Sequence, residues 1–409
     1  LTTPVPSRPR DPRLDFFRGL GMFIIFIAHV PDNAWALWIP ARFGFSDATE
    51  IFVFCSGMAS AIAFGGTFLK HGWWMGTMRT LHRVWQVYWA HIGLFFVTVS
   101  LLIVFNQLDT GILYTDRLYV LPLFEDTASA LFGLMTLTYV PNYFDILPMY
   151  LVILLMMPIV VGLARISPLV AMGAIVALWL VATTGHADLP AEPWSDRVWF
   201  FNPFAWQLVF FTGFAFMTGW LKPPPVDRRL VLLSVAIIVV TVPFAHYTGW
   251  QNSQWIYDAR DAVWPALDKT DFGALRYVHF LALAYVAWVA AGEGGRRLTG
   301  AGAWARVVTV TRKVGQQSLA VFLASMVLAQ TAGMVLDVTG RTMFTVGLVN
   351  GAGFLLLIAV AYSVAWFKSQ PWRKPVSPPA AAGKPAPGTG QPAGAEGAPS
   401  PRARLVAGE

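Results

Sequence analysis

Charge is scarce in this chain. Only 12% of its 409 residues are Asp, Glu, Lys or Arg, about half the share found in an ordinary soluble domain. With 56% hydrophobic residues, a water-soluble fold is disfavoured. Cysteine is nearly absent: Cys55 stands alone in an apolar run, which excludes an intrachain disulfide and fits a small packing residue better than a nucleophile. The chain also lacks a phosphate-cradling P-loop, a zincin His pair, Cys/His metal spacing and a Gly-x-Ser-x-Gly elbow. Those absences weigh against ATP-driven transport and a soluble-type serine hydrolase, and no metal site is expected. The net charge of +7 is not gathered into a stripe interleaved with exposed aromatics, so nucleic acid is not an expected partner.

Long apolar runs dominate instead. A membrane-spanning helix needs about 20 mostly apolar residues. That criterion marks ten segments, 16–36, 48–68, 84–105, 146–164, 168–184, 204–221, 230–247, 272–291, 315–336 and 343–366. The apolar stretch 128–140 is too short and reads as a re-entrant or interfacial piece. The 18 Trp and 30 Phe suit lipid-facing packing and anchoring at the membrane surface. The first run follows Arg8, Arg10 and Arg13 and leads to no small-residue cleavage site, so it is read as a retained span. With the N-terminus inside, most Lys and Arg fall at inner ends and loops. The outer loops hold Arg42, Arg117, Arg197, Arg260, Lys269, Arg276 and Arg341 among many acidic residues such as Asp109, Asp116, Glu125 and Asp126. The expectation is an all-α polytopic membrane protein of about ten transmembrane helices, N-in/C-in. It comprises a cytoplasmic N-terminal segment over 1–13, a transmembrane domain over 14–368 and a Pro/Ala/Gly-rich disordered cytoplasmic tail over 369–409.

Polar residues inside apolar runs are costly and mark function by default. In the first run Asp15, Arg18 and His29 share a face: eleven residues, about three turns, separate Arg18 from His29, which places the imidazole roughly 16 Å further along the helix. Imidazole is the usual general base, since its pKa lies near neutrality. Asp47 and Glu50 open the second run at the end toward which His29 points. Either could tune the imidazole, and Asp47-x-x-Glu50 equally fits a helix-capping box. Arg79 and Arg83, four apart at the inner end of the third run, could bind phosphates of a donor, or simply anchor the helix with His82, Trp85, Tyr88 and Trp89. His91 lies deeper. Trp206 and Gln207 could hold a sugar by stacking and hydrogen bonding, and Arg276 with His279, one turn apart, could bind an anionic acceptor or acyl carboxylate. Asn142, Asp145, Asn202 and Gln316-Gln317-Ser318 complete the set; interhelical hydrogen bonding is the plainer reading for each.

Several of these segments resemble the OpgC family. They are Arg13-Leu14-Asp15-Phe16-Phe17-Arg18-Gly19-Leu20 running to His29, Gly44-Phe45-Ser46-Asp47-Ala48-Thr49-Glu50 with the apolar run to Gly57, Leu147-Pro148-Met149-Tyr150, and Asn202-Pro203-Phe204-Ala205-Trp206-Gln207. The resemblance covers residues 11 to about 368. The wider group of transmembrane acyltransferases shares an Arg or Lys ten intervening residues before a His, the spacing of Arg18 and His29. Ala28 stands where relatives commonly carry a polar residue, and Thr49 where Ala is more familiar. The resemblance implies a multi-pass protein of the bacterial inner membrane that transfers succinyl groups from succinyl-CoA, or another acyl-CoA, to osmoregulated periplasmic glucans. No tightly bound cofactor is expected. On that reading His29 is catalytic, tuned by Asp47 or Glu50, and Arg18, Arg79 and Arg83 hold the donor. The alternatives are an acyltransferase for another envelope polysaccharide and a secondary transporter or exporter of glycans.

Overall fold

The computed structural model describes residues 11–108 and 110–373. The expected tail beyond 373, the first ten residues and Asp109 lie outside them. Among the described residues the only strand pairing is an isolated bridge between Pro190 and Val198, so the architecture is all-helical.

Helix α1 (Pro12–His29) starts where Asp11 accepts the Arg13 N–H at 2.9 Å and Pro12 supplies a preset first-turn residue. It stops at His29 because Val30 is already extended before Pro31, and Asp32 takes a positive φ of 51°. The expected first span, 16–36, is thus cut short, and His29 is the last helical residue. The next span, α2 (Ala48–Lys70), opens on Asp47 and carries a π-helical turn at Ala61–Gly65. Then comes α3 (Gly72–Phe105), 34 residues long. At about 1.5 Å per residue it exceeds the ~30 Å hydrocarbon thickness, so its first turns, with Arg79 and Arg83, extend the expected 84–105 span at its basic end. The stretch 128–140 forms α4 (Thr127–Thr136), ended by Leu137 in the left-handed region.

Helices α5 (Ile146–Ile166), α6 (Pro168–Thr183), α7 (Pro203–Thr218), α8 (Arg228–Ala245) and α9 (Ala274–Ala291) follow, then α10 (Gly302–Gln316), α11 (Ser318–Thr339) and α12 (Met343–Ser369). Among the described residues seven helices, α2, α3, α5, α8, α9, α11 and α12, are long and apolar enough to cross a membrane. The other three expected spans are α1, interrupted by Arg13, Asp15 and Arg18, and the 16-residue α6 and α7. At about 24 Å each, α6 and α7 are shorter than the hydrocarbon core. Helix α10 was not expected. Its Arg306, Arg312 and Lys313 hide it from a search for apolar runs, yet it packs along α1.

Two close helix crossings organise the bundle, and both depend on glycine. A Cβ on Gly19 of α1 would lie 1.9 Å from the Thr311 carbonyl of α10, and one on Gly315 would lie 1.9 Å from the Asp15 carbonyl. Likewise a Cβ on Gly57 of α2 would meet the Phe210 carbonyl of α7 at 1.9 Å, and one on Gly213 the Phe54 carbonyl at 2.3 Å. With lipid as solvent, helices associate through such backbone approach rather than through hydrophobic burial. Helix α7 is apolar all round and enclosed all round: Trp206, Phe210, Phe211 and Phe214 are each at most 1% exposed. These crossings fix where α1, α2 and α7 end, and therefore where their terminal residues meet.

Candidate active site

The C-terminal end of α1, the N-terminal ends of α2 and α5, the segment before α7 and the loop before α9 converge on a cavity of about 150 Å³. Its polar lining is His29, Thr49, Tyr143, Asp145 and Lys269, and its walls are aromatic, including Phe52, Phe200, Phe201 and Phe322. His29 is set by its own helix: Nδ1 lies 2.8 Å from the Ile25 carbonyl, one turn back. A carbonyl only accepts, so Nδ1 carries the proton and Nε2 keeps its lone pair. The Tyr143 ring meets the imidazole edge to face at 5.4 Å, and its hydroxyl donates to the Met326 carbonyl at 2.5 Å. Tyr143 sits at φ 90°, a costly conformation for a bulky residue, of a kind that tends to persist where surrounding contacts enforce a site.

The two carboxylates before and within α2 do both things their spacing allowed. Asp47 Oδ1 accepts the Thr49 N–H at 2.6 Å while Glu50 Oε2 accepts the Asp47 N–H at 2.8 Å, a complete capping box. Their remaining oxygens take cations from the far side. Glu50 Oε1 accepts from Arg276 Nε and Nη2 at 2.9 and 2.5 Å, and Asp47 Oδ2 from Lys269 Nζ at 2.6 Å, with Arg276 3.6 Å away. Burial pushes the Asp47 carboxyl up, but Lys269 and Arg276 more than reverse this and hold it below the usual carboxylate range. Neither Asp47 nor Glu50 makes the hydrogen bond that sets the His29 ring. The Ile25 carbonyl orients the imidazole, and the carboxylates reach the cavity through Lys269.

Other residues singled out in the sequence fall into three groups. In the first two turns of α1, Arg18 donates to Ser318 Oγ, and Asp15 accepts from Gln316 Nε2 at 3.2 Å, tying α1 to the α10–α11 junction. Arg79 donates to Thr67 Oγ1 at 2.5 Å, and Arg83 to Gln86 Oε1 at 3.1 Å, both on the basic first half of α3. Trp206 and Gln207 are enclosed, at 0% and 1% exposure, and give their N–H groups to the carbonyls of Lys269 and Ile175. They offer no face to a sugar; Trp206 instead braces the Lys269 loop. Arg276 is committed to Glu50, and the buried His279 takes the Ser46 N–H on Nδ1 at 3.2 Å, so this pair supports the wall of the site. His91 is wholly buried in α3.

Sequence reasoning missed Lys269, Tyr143 and Thr49. Lys269 is a lone cation in an acidic loop, Tyr143 is one of many aromatics, and Thr49 sits inside the cap motif; none carries a spacing signal.

A multi-pass helical bundle with an imidazole-centred cavity at one end of its first helix is the class of protein that these features define. A family model described as OpgC protein matches residues 10–369. The chain belongs to the OpgC family, and this membership together with the membrane-type helices supports an acyltransferase-type activity. No curated protein matches the chain, and no solved structure does.

Proposed function

We propose that this protein moves a short acyl group, succinyl by family resemblance, from a CoA thioester on the cytosolic side to a hydroxyl of an osmoregulated periplasmic glucan, in the bacterial inner membrane with N-in/C-in topology. The observation that carries the reading is the 2.8 Å contact of His29 Nδ1 with the Ile25 carbonyl: it spends Nδ1–H there and leaves the basic Nε2 for chemistry at an aromatic-walled cavity. The size of that cavity favours a small group. About 150 Å³ is the volume of an engineered protein cavity that accepts benzene, suited to a four-carbon acyl group and unsuited to a fatty chain. Lys269 lines the same space, and the two ammonium N–H bonds that it does not give to Asp47 are left for a terminal carboxylate.

In this scheme Arg18, with Arg79 and Arg83, receives the anionic donor at the other end of α1, and the acyl end reaches roughly 16 Å along the helix to His29. Nε2 takes the proton of the acceptor hydroxyl as its oxygen bonds to the acyl carbonyl carbon. The carbon–sulfur bond then breaks, and the CoA thiolate leaves with the proton returned by the imidazolium, giving an ester and free CoA. His29→Ala, expressed at the wild-type level, is expected to abolish acylation of periplasmic glucans, read as loss of the acyl mass increment by mass spectrometry. Unchanged acylation in that variant sinks the proposal.

A further inference from the structure

One carboxyl in the cavity belongs to no ion pair among the described residues: the backbone N–H groups of Tyr143 and Phe200 and the charge of Arg197 favour its ionised form, but burial outweighs them. Asp145, just before α5, is 5% exposed, and its Oδ1 has no hydrogen-bond partner among the described residues. The surrounding cations are engaged elsewhere. Lys269 is held by Asp47, and Arg276 by Glu50. Arg197, whose charge also reaches Asp145, gives its donors to Glu192, Asn142 and the carbonyls of Val140 and Ala191. A buried carboxyl oxygen without a partner costs free energy, and its presence beside His29 calls for a donor from outside the protein.

The geometry points to Asp145 as the residue that holds the acceptor: Oδ1 takes a hydrogen bond from a second hydroxyl of a polyol while a neighbouring hydroxyl is presented to His29 Nε2. This rests on the acyl-transfer reading above. The chemistry of the two substrates decides between them. A CoA thioester with a dicarboxylic acyl group is anionic and is disfavoured beside a carboxyl, whereas a carbohydrate is uncharged and rich in O–H donors. Phe200 and Phe201, their rings 4.8 Å apart in an edge-to-face pair, form an apolar wall of the same cavity suited to the C–H face of a sugar ring. Lys269 lies over the Phe201 ring at 5.6 Å and is ion-paired with Asp47 rather than with Asp145. The position also fits, since Asp145 lies at the end of the bundle opposite Arg18, where the donor enters.

The test uses the full-length protein in lipid nanodiscs with succinyl-CoA and purified periplasmic glucan. Asp145→Ala is expected to raise the KM for glucan about tenfold or more, the scale of a lost hydrogen bond to a charged group. Both kcat and the KM for succinyl-CoA should stay within about twofold of wild type, the pattern of lost uniform binding. Asp145→Asn keeps the shape and a neutral acceptor oxygen, so it should raise the KM for glucan less, and it carries the test should the Ala variant not fold. A glucan KM unchanged in both variants overturns the assignment while leaving the acyl-transfer reading intact. So does an equal loss in kcat and in both KM values, which would mark a structural role. Absence of transfer by the wild-type protein under the same conditions overturns both.

Discussion

The ion pair of Arg276 with Glu50 allows a quantitative test of how the site is held. Glu50 is fully buried, and the Arg276 side chain is 11% exposed. Replacing Arg276 by Met removes both guanidinium hydrogen bonds to Oε1 and leaves Glu50 with the Asp47 N–H alone. Lys269 cannot substitute while it is bound to Asp47 at 2.6 Å. Breaking a buried pair from one side costs about 3–5 kcal/mol, and because an unfolded chain kept in a membrane finds other partners, the lower end applies. Glu50→Gln should cost less, since Arg276 retains Asp47 at 3.6 Å as a fallback. Joining Glu50→Gln to Arg276→Met removes the orphaned charge, so the double variant is expected to be more stable than Arg276→Met alone, with an interaction energy of about 0.5–3 kcal/mol. Steric trapping of the purified protein in bilayers measures these differences. A cost below about 1 kcal/mol for Arg276→Met, or strict additivity in the cycle, would refute the view that this pair carries the α2–α9 contact.

Gly57→Ala drives a Cβ into the Phe210 carbonyl and is expected to lower stability by about 1–3 kcal/mol or more, seen as a reduced melting temperature in detergent; an unchanged melting temperature would mean that α2 and α7 are not in close contact. Burial raises the Asp145 carboxyl to about 7 against the pull of Arg197. A carboxyl raised in the folded state binds its proton more tightly there than in the unfolded chain, so stability falls as pH rises from the ordinary carboxylate range through about 7. Asp145→Asn should flatten that part of the stability profile, and an identical slope in both proteins would contradict it. For Asp47 the sign is opposite, because its pKa is lowered: its contribution is present above the unfolded value, about 3.9, and is lost only in strong acid. Lys269→Met should move that acid loss to higher pH, and an unmoved acid limb would mean that Lys269 does not hold the carboxylate.

Much of this was legible in the sequence because hydropathy and helical spacing are local. The helical class, the spacing of Arg18 and His29 along one face of α1, and the capping box at Asp47 all follow from residues within a few turns of one another. Partner identity is not local. Glu50 is 226 positions from Arg276, and Asp47 is 222 from Lys269, so no spacing along the chain assigns their contacts. Helix α10 escaped notice because its basic residues mask an amphipathic segment. Trp206 and Gln207 read as sugar-binding because Trp and Gln often serve there; only enclosure by α6 and the Lys269 loop reveals that they spend their N–H groups on backbone carbonyls.

The charge layout of the cavity follows from the same non-local contacts. If Asp47 and Glu50 bore on His29 directly as unpaired carboxylates, they would stabilise the imidazolium and make Nε2 slow to give its proton back. Bound instead to Lys269 and Arg276, they form two compensated pairs behind the wall. This arrangement holds a cation at the rim of the cavity while the imidazole takes its orientation from an uncharged carbonyl. A base that must accept a proton and then return it to a thiolate within one turnover benefits from such neutral support, since a strong counter-charge would trap the protonated form. The arrangement also leaves Asp145 as the carboxyl facing the cavity outside any ion pair among the described residues. It is therefore free to bind an uncharged hydroxyl without competing for the cation that an acyl carboxylate needs.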